Sequence, residues 1–156
     1  MMTGDRTLWK QRVLERCKTI IAEKLADRQA ALQELIDSTA NETKSTAGDK
    51  YETGRAMLHI EQDNVRRQIA EIKAQKAVLD AIIDGGPAGK ITGPGSLVET
   101  SAGLYFISIA LGKLLVDGEP VIALSAQSPL GALLVRHTVG DSISINGQAM
   151  LIIDVS

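Results

Sequence analysis

The sequence is short of cysteine and of aromatic residues, and both shortages exclude classes of site. Cys17 is the single cysteine in 156 residues, so no disulfide can form within the chain, which indicates a reducing compartment. The aromatic residues are Trp9, Tyr51, Tyr105 and Phe106. They are too few to stack successive bases or to line an aromatic ligand pocket.

The sequence also lacks an excess of positive charge and any long apolar run. The formal net charge of −2 gives no basic field, so contact with nucleic acid should be local or made through a protein partner. No segment approaches the length of a membrane span, and the first residues, MMTGDRTLWKQR, lack the apolar run of a signal peptide. We therefore expect a soluble cytoplasmic protein without membrane contacts.

Charge is distributed unevenly along the chain. Residues 1–84 contain 14 Lys or Arg and 14 Asp or Glu, whereas residues 90–156 contain only 3 and 5. This asymmetry predicts a charge-rich helical region over 1–84 and a compact apolar domain over 96–156. Residues 85–95 hold five glycines and two prolines, which is typical of a linker between them.

Two apolar patterns with helical spacing occupy the first region. Since their spacings of three, four and seven residues place them on one face of a helix, they predict two long helices. An antiparallel coiled-coil hairpin within a monomer is favoured over a coiled-coil dimer of separate helices, because the two apolar faces are similar in length and the joint is flexible. The first pattern is Leu14, Cys17, Ile21, Leu25, Leu32 and Leu35, and the second is Leu58, Val65, Ile69, Ile72, Leu79 and Ile83.

The last region has short apolar runs separated by turn residues, which predicts strands. Asn146-Gly147 between two of the runs is a strong signal for a two-residue hairpin. Ser128 as N-cap and Pro129 at the first helical position predict one short helix, with Leu130, Leu133 and Leu134 as its buried face. The expected fold class is therefore α+β: a helical hairpin followed by an antiparallel sheet with one short helix. The runs are SLVET, LYFISIA, KLLV, VIAL, SISIN and QAMLIIDV.

The joint between the two helical patterns is predominantly polar. Residues 37–56 contain no Val, Leu, Ile, Met or Phe, which predicts an exposed tip near 45–55. Asp49 and Glu52 lie three residues apart, so a helical turn would point both carboxylates the same way. Such a pair can share a divalent cation, although weakly, because magnesium takes more oxygen ligands than two. The alternative is a solvated acidic turn that caps a helix and binds no metal.

Two segments resemble a known protein family. Gly48-Asp49-Lys50-Tyr51-Glu52-Thr53 resembles the Gly-Asp-x-x-Glu-Asn tip of the Gre transcript-cleavage factors, which act on bacterial RNA polymerase. The segment 128–141, SPLGALLVRHTVGD, is similar at matching length to the Ser-Pro-(Ile/Leu)…Ala-Leu…Gly-Asp segment of their C-terminal domain. The order of hairpin, acidic tip, linker and small domain agrees as well, so the resemblance covers nearly the whole chain.

The resemblance implies a specific fold, partner and role. The C-terminal domain would have an FKBP-like fold and dock on RNA polymerase at the rim of its secondary channel, with Ser128, Pro129 and Leu130 in the docking-domain motif. The hairpin would reach the catalytic centre, where Asp49 and Glu52 would help to hold a Mg²⁺ ion shared with the polymerase. They would also orient the water that attacks the RNA near the 3′ end of a backtracked transcript. The factor would not be an enzyme itself, since it would stimulate the polymerase's own cleavage activity.

The chain departs from the family pattern beside the two carboxylates. Thr53 stands where the family has Asn, and Arg55-Ala56 stands where the family tip continues Glu-Tyr. A Gre-like regulator or inhibitor that binds the channel without cleavage is therefore the alternative function. Two other classes are a coiled-coil adaptor whose tip is a simple turn and a peptidyl-prolyl isomerase. The isomerase would need several aromatic residues around its pocket, and this domain offers only Tyr105 and Phe106.

Overall fold

A computed structural model describes the backbone of residues 6–44, 48–82 and 91–156, and the side chains of residues 8–41, 53–82 and 91–156. The described residues form two compact units. One contains residues of Met1–Lys18 and Ala77–Ser156, and the other is Thr19–Lys76. Three helices and six strands occur in these described ranges, and the long helix α1 contributes to both units.

The N-terminal region is a long helical hairpin, as the apolar spacing predicts. Helix α1 is Arg6–Lys44 and helix α2 is Gly48–Asp80, and the two pack together. Neither glycine nor proline interrupts α1 between Leu8 and Ile36, so its backbone hydrogen bonds can run without a break. The predicted apolar positions are the less exposed ones in the unit Thr19–Lys76. Ile21, Val65 and Ile69 are buried, and Leu25, Leu32, Leu35, Leu58 and Ile72 are half-buried.

All six apolar runs of the last region become strands of one sheet. Its order is β3-β4-β2-β1-β6-β5, with β3 and β5 at the edges. The strands are β1 Leu97–Thr100, β2 Gly103–Ser108, β3 Gly112–Val116, β4 Glu119–Ser125, β5 Ser142–Ile145 and β6 Gln148–Val155.

The prediction of an antiparallel sheet needs one correction, because the sheet is mixed. Strands β2 and β4 pair in parallel, with Tyr105 opposite Ile122, while the other strand pairs are antiparallel. After β2 the chain passes to the edge as β3 and returns as β4, which inserts between β3 and β2. Burial explains this order. An inner strand needs apolar residues on both faces, and β4 has Val121, Ala123 and Leu124 buried, whereas β3 is largely exposed.

The predicted hairpin turn is confirmed between β5 and β6. Ile145 pairs with Gln148, which leaves Asn146 and Gly147 as the two turn residues. Both have positive φ, 52° and 80°, which is the backbone of a type I′ turn. Asn and Gly are the residues that adopt this conformation at least cost, so the local sequence determines the register of the hairpin.

The predicted short helix is also present, with one change to its buried face. Helix α3 is Pro129–Leu134, and its N-cap is Ser128. Leu134 is fully buried and Leu130 packs against the core, but Leu133 is 38% exposed, contrary to the prediction. Gly131 takes the remaining buried position. The reason is geometric, because only a residue without a side chain fits where α3 approaches the end of β4.

The sheet buries apolar residues on both faces. One face forms a cluster with α3 that includes Tyr105, Ile107, Leu124, Leu134 and Ile152. The other face carries residues such as Leu97, Phe106 and Val121, each fully buried. The start of α1 lies on this second face, since the Cys17 thiol contacts the Ser108 hydroxyl of β2.

Candidate functional site at the hairpin turn

The two predicted metal ligands fall at the beginning of α2. The helix begins at Gly48, so Asp49 and Glu52 belong to its first turns. Their side chains lie outside the described residues, as do residues 45–47 between the helices. Among the side chains that the structure describes, no three His, Cys, Asp or Glu residues come together as metal ligands.

The residues that depart from the Gre pattern lie just behind this turn and face solvent. Thr53, Arg55 and Ala56 are all exposed on α2. Two large apolar side chains follow them, Met57 at 63% and Ile60 at 60% exposure. This part of the hairpin therefore presents apolar and polar groups side by side, rather than a uniformly charged surface.

Further from the turn, a polar contact joins the two helices within their packed face. Gln62 is only 4% exposed. Its Nε2 donates to Thr39 Oγ1 at 2.7 Å and to the carbonyl oxygen of Leu35 at 3.3 Å. Thr39 Oγ1 itself donates to the Leu35 carbonyl at 2.8 Å. The side chains of Gln62 and Thr39 thus bond to each other and both donate to the same backbone carbonyl of α1.

An open groove of about 390 Å³ lies between the helices in the unit Thr19–Lys76. Lys24 and Arg28 line it together with Asp27 and Glu71, so positive and negative charges balance. The Arg28 guanidinium donates to Asp27 at 3.0 Å and to Gln68 at 3.2 Å, so it is already paired with residues that line the groove. The groove therefore presents a solvated ion-pair surface and no concentrated charge for a ligand.

The predicted docking motif stabilises α3 through its first residue. Ser128 Oγ accepts from Gly131 N at 3.0 Å and donates to the Ser125 carbonyl at 2.7 Å. The hydroxyl therefore acts as both acceptor and donor within the domain. Pro129 is exposed, and Leu130 is half-buried against the core cluster. Of the three predicted contact residues, Pro129 thus has the most surface available to a partner.

The last two residues of the matched segment shape the turn before β5. Gly140 has φ of 93°, a conformation that favours glycine, and its N–H donates to the Ile152 carbonyl at 2.9 Å. Asp141 Oδ2 accepts from Thr138 N at 2.9 Å. Residues at both ends of the segment 128–141 therefore have a structural use in the domain, which does not depend on a partner.

The start of α1 is attached to the sheet by charged and buried groups. Arg12 Nη1 donates to Asp117 Oδ2 at 2.6 Å, and Asp117 lies in the turn between β3 and β4. Burial raises the pKa of the Cys17 thiol to about 11, while the neighbouring Ser108 hydroxyl lowers it less strongly. This thiol is therefore protonated at neutral pH and is a poor nucleophile.

The sequence gives no sign that Lys10 is buried. It is 3% exposed, and its Nζ has no hydrogen-bond partner among the described residues. Burial lowers the pKa of this lysine. Gln62 was missed as well, although a signal existed: it falls four residues after Leu58 and three before Val65, on the apolar stripe of α2.

Comparison with known proteins identifies no family. No protein-family model matches the sequence, and a search of curated proteins finds no match either. Within the part of the chain that the structure describes, no helix is long and apolar enough to cross a membrane.

Proposed function

We propose that the protein is a bacterial RNA polymerase-binding elongation factor that inserts its hairpin turn into the secondary channel and stimulates cleavage of backtracked RNA. The observation that carries this proposal is the position of the Gly48–Thr53 sequence, which resembles the Gre tip, at the start of the second helix of a long hairpin. In the unit Thr19–Lys76 each helix is about 40 Å long at roughly 1.5 Å per residue. That length is suited to reaching a site at the bottom of a channel.

The proposed chemistry belongs to the complex with the polymerase. Asp49 and Glu52 supply two carboxylates to a Mg²⁺ ion whose other ligands come from the polymerase and the RNA. Such an ion both activates the attacking water and stabilises the charge that develops on the phosphate. Because two carboxylates alone bind magnesium weakly, the isolated protein is expected to be inert toward RNA.

The small α+β domain supplies the docking surface in this proposal. Its Ser128–Asp141 segment resembles the corresponding Gre segment, and the predicted contacts are Ser128, Pro129 and Leu130, of which Pro129 is exposed. A protein of this kind acts in the cytoplasm as a monomer, without membrane contacts, and reaches the 3′ end of the nascent RNA only through the polymerase.

The test is the rate of RNA cleavage in a stalled, backtracked elongation complex. The wild-type protein should raise the rate, and Asp49→Ala or Glu52→Ala should lower the stimulated rate at least tenfold, which is about 1.4 kcal/mol of transition-state stabilisation. Glu61→Ala is the matched control, because Glu61 is an exposed carboxylate on the same helix. Stimulation that is equal in all four proteins would refute the assigned roles.

A non-cleaving channel regulator is the second candidate. It is favoured by the exposed Thr53, Arg55 and Ala56, which replace residues of the Gre tip next to both carboxylates. This candidate predicts that the protein displaces an authentic cleavage factor from the polymerase while adding no cleavage of its own. The triple variant Thr53→Asn, Arg55→Glu, Ala56→Tyr should then create a measurable stimulation.

A further inference from the structure

The apolar stripe of α2 contains one buried amide. Leu58, Val65, Ile69 and Ile72 repeat at spacings of three, four and seven residues, and Gln62 occupies the position that continues this pattern. Its 4% exposure is comparable to that of Val65 at 6%. A polar residue at such a position lowers the stability of a coiled coil but specifies its register.

One of the two partners of Gln62, the Thr39 hydroxyl, is specific to one register, whereas a backbone carbonyl such as that of Leu35 is present in any register. Thr39 and the Leu35 carbonyl both lie on α1, on the helical face that meets Gln62. Because the helices are antiparallel, sliding them by one heptad in one direction would place Gln62 opposite Leu32, seven residues before Thr39, where the side chain is apolar. There the Gln62 amide would stay buried without its side-chain acceptor, which disfavours the shifted arrangement. Sliding the helices in the other direction would carry Gln62 beyond Lys44, the last residue of α1.

We infer that Gln62 is a positioning residue, which sets the register and rotation of the end of the hairpin that carries Asp49 and Glu52. The expected effect on cleavage rests on the proposed function, whereas the expected effect on the register does not. Gln62 is ten residues from Glu52 in one continuous helix, about 15 Å at roughly 1.5 Å per residue. Because a helix over this distance is stiff, fixing Gln62 against α1 directs the start of α2.

A positioning role differs from a stabilising one in its predicted effects. Replacing the amide by a side chain of similar size, as in Gln62→Leu, fills the same space and removes a polar group from an apolar face. The free energy of unfolding should therefore stay the same or rise, while the cleavage rate falls. Displacement of a reacting group by about 1 Å can cost up to about 10²-fold in rate, so a loss of at least tenfold is expected.

The experiment combines a distance measurement on the free protein with the cleavage assay. Spin labels at Ser38→Cys and Glu61→Cys, in a Cys17→Ala background, report the register, because both positions are exposed on opposite helices near the contact. The wild-type pair should give one narrow distance distribution. Gln62→Leu should broaden it or add a second population, and should lower stimulated cleavage without changing the protein concentration that gives half of the maximal effect.

Three further variants make the test selective. Gln68→Leu is the matched control, since Gln68 also bonds across the helices, to Arg28, but in an exposed position; it should leave distances and cleavage unchanged. Thr39→Val removes the side-chain acceptor on the other helix and leaves only the Leu35 carbonyl, so it should broaden the distances, whereas Thr39→Ser keeps the hydroxyl and should behave as wild type.

The outcomes separate this inference from the proposed function. If wild type stimulates cleavage but Gln62→Leu matches Gln68→Leu in either distances or cleavage, the positioning role is wrong. If wild type gives no stimulation, the proposed function fails, and the distances alone decide the role of Gln62 in the register. In that case a single narrow distance distribution in Gln62→Leu would overturn the role of Gln62 in setting the register.

Discussion

Replacing Gly131 by alanine should destabilise the C-terminal domain, although helix propensity alone predicts the opposite. Gly131 lies inside α3, where alanine is favoured over glycine by about 1 kcal/mol. A Cβ atom at this position, however, would lie 2.0 Å from the carbonyl oxygen of Ser125 and 2.8 Å from Ser128 Oγ. The first contact is with backbone, so no side-chain rotation can relieve it.

The magnitude follows from what must move. To make room, α3 must shift by about 1 Å or more away from the end of β4, and forcing extra atoms into a packed site costs about 1–3 kcal/mol. The same shift stretches both hydrogen bonds of Ser128 Oγ, and loss of an N-cap costs about 1 kcal/mol more. Against the propensity gain of about 1 kcal/mol, the net loss of stability should be about 1–3 kcal/mol.

Urea or thermal denaturation of the wild-type protein and the variant measures this loss. At about 4–8 °C per kcal/mol for a domain of this size, the midpoint for the C-terminal domain should fall by roughly 4–24 °C. Gly93→Ala is the control, because a Cβ added at Gly93 would meet no atom within 4 Å and the residue has no positive φ, so its change should be neutral or slightly stabilising. If Gly131→Ala is as stable as wild type or more so, the close approach of α3 to β4 is wrong.

Other predictions concern the start of α1. Lys10→Met should stabilise the protein by about 1–2 kcal/mol at pH 7 in urea titrations, since it removes a buried ammonium without a described partner. Because the pKa of Lys10 is lowered in the folded state, its penalty exists at low pH and disappears as the pH rises to the ordinary value of 10.5, and the gain should disappear with it. The raised pKa of Cys17 has the opposite effect, because its contribution to folding stability is complete below pH 9 and is lost as the pH rises towards 11. Between these pH values the stability of Cys17→Ala should therefore fall less than that of the wild type. Asp117→Asn should cost less than about 1 kcal/mol in the same titrations, because its ion pair with Arg12 is half-exposed; a loss above about 2 kcal/mol would contradict this account.

Local chemistry explains why much of the fold could be predicted. The spacing of apolar residues determines which face of each long helix is buried, and Asn146-Gly147 determines a two-residue turn through its backbone preferences. Ser128-Pro129 likewise determines where α3 begins. Each of these signals acts within a few residues, so the sequence alone is sufficient to read it.

The remaining features depend on contacts between distant residues. The parallel pairing of β2 with β4 depends on the burial of β4 on both faces. The residue pattern of β3 does not indicate which strand lies beside it. The sequence shows Gly131 only as a residue of low helix propensity, because the closeness of the Ser125 carbonyl appears only in the folded chain. The burial of Gln62 and Lys10 similarly depends on partners from other parts of the chain.

The start of α2 within the polar stretch was predictable from the sequence, whereas the chemistry of the candidate site was not. The polar stretch between two helical patterns predicts a turn, and the structure begins α2 at Gly48 within that stretch. Whether Asp49 and Glu52 hold a metal depends on groups that a partner would supply, because two carboxylates are too few for a magnesium site of their own.

The magnesium dependence of cleavage in a backtracked elongation complex tests the central claim most directly. If Asp49 and Glu52 help to hold the ion, wild-type protein should lower the Mg²⁺ concentration needed for half-maximal cleavage, and Asp49→Asn should abolish that shift while Glu61→Gln keeps it. An identical magnesium dependence with wild type, Asp49→Asn and no added protein would contradict the account.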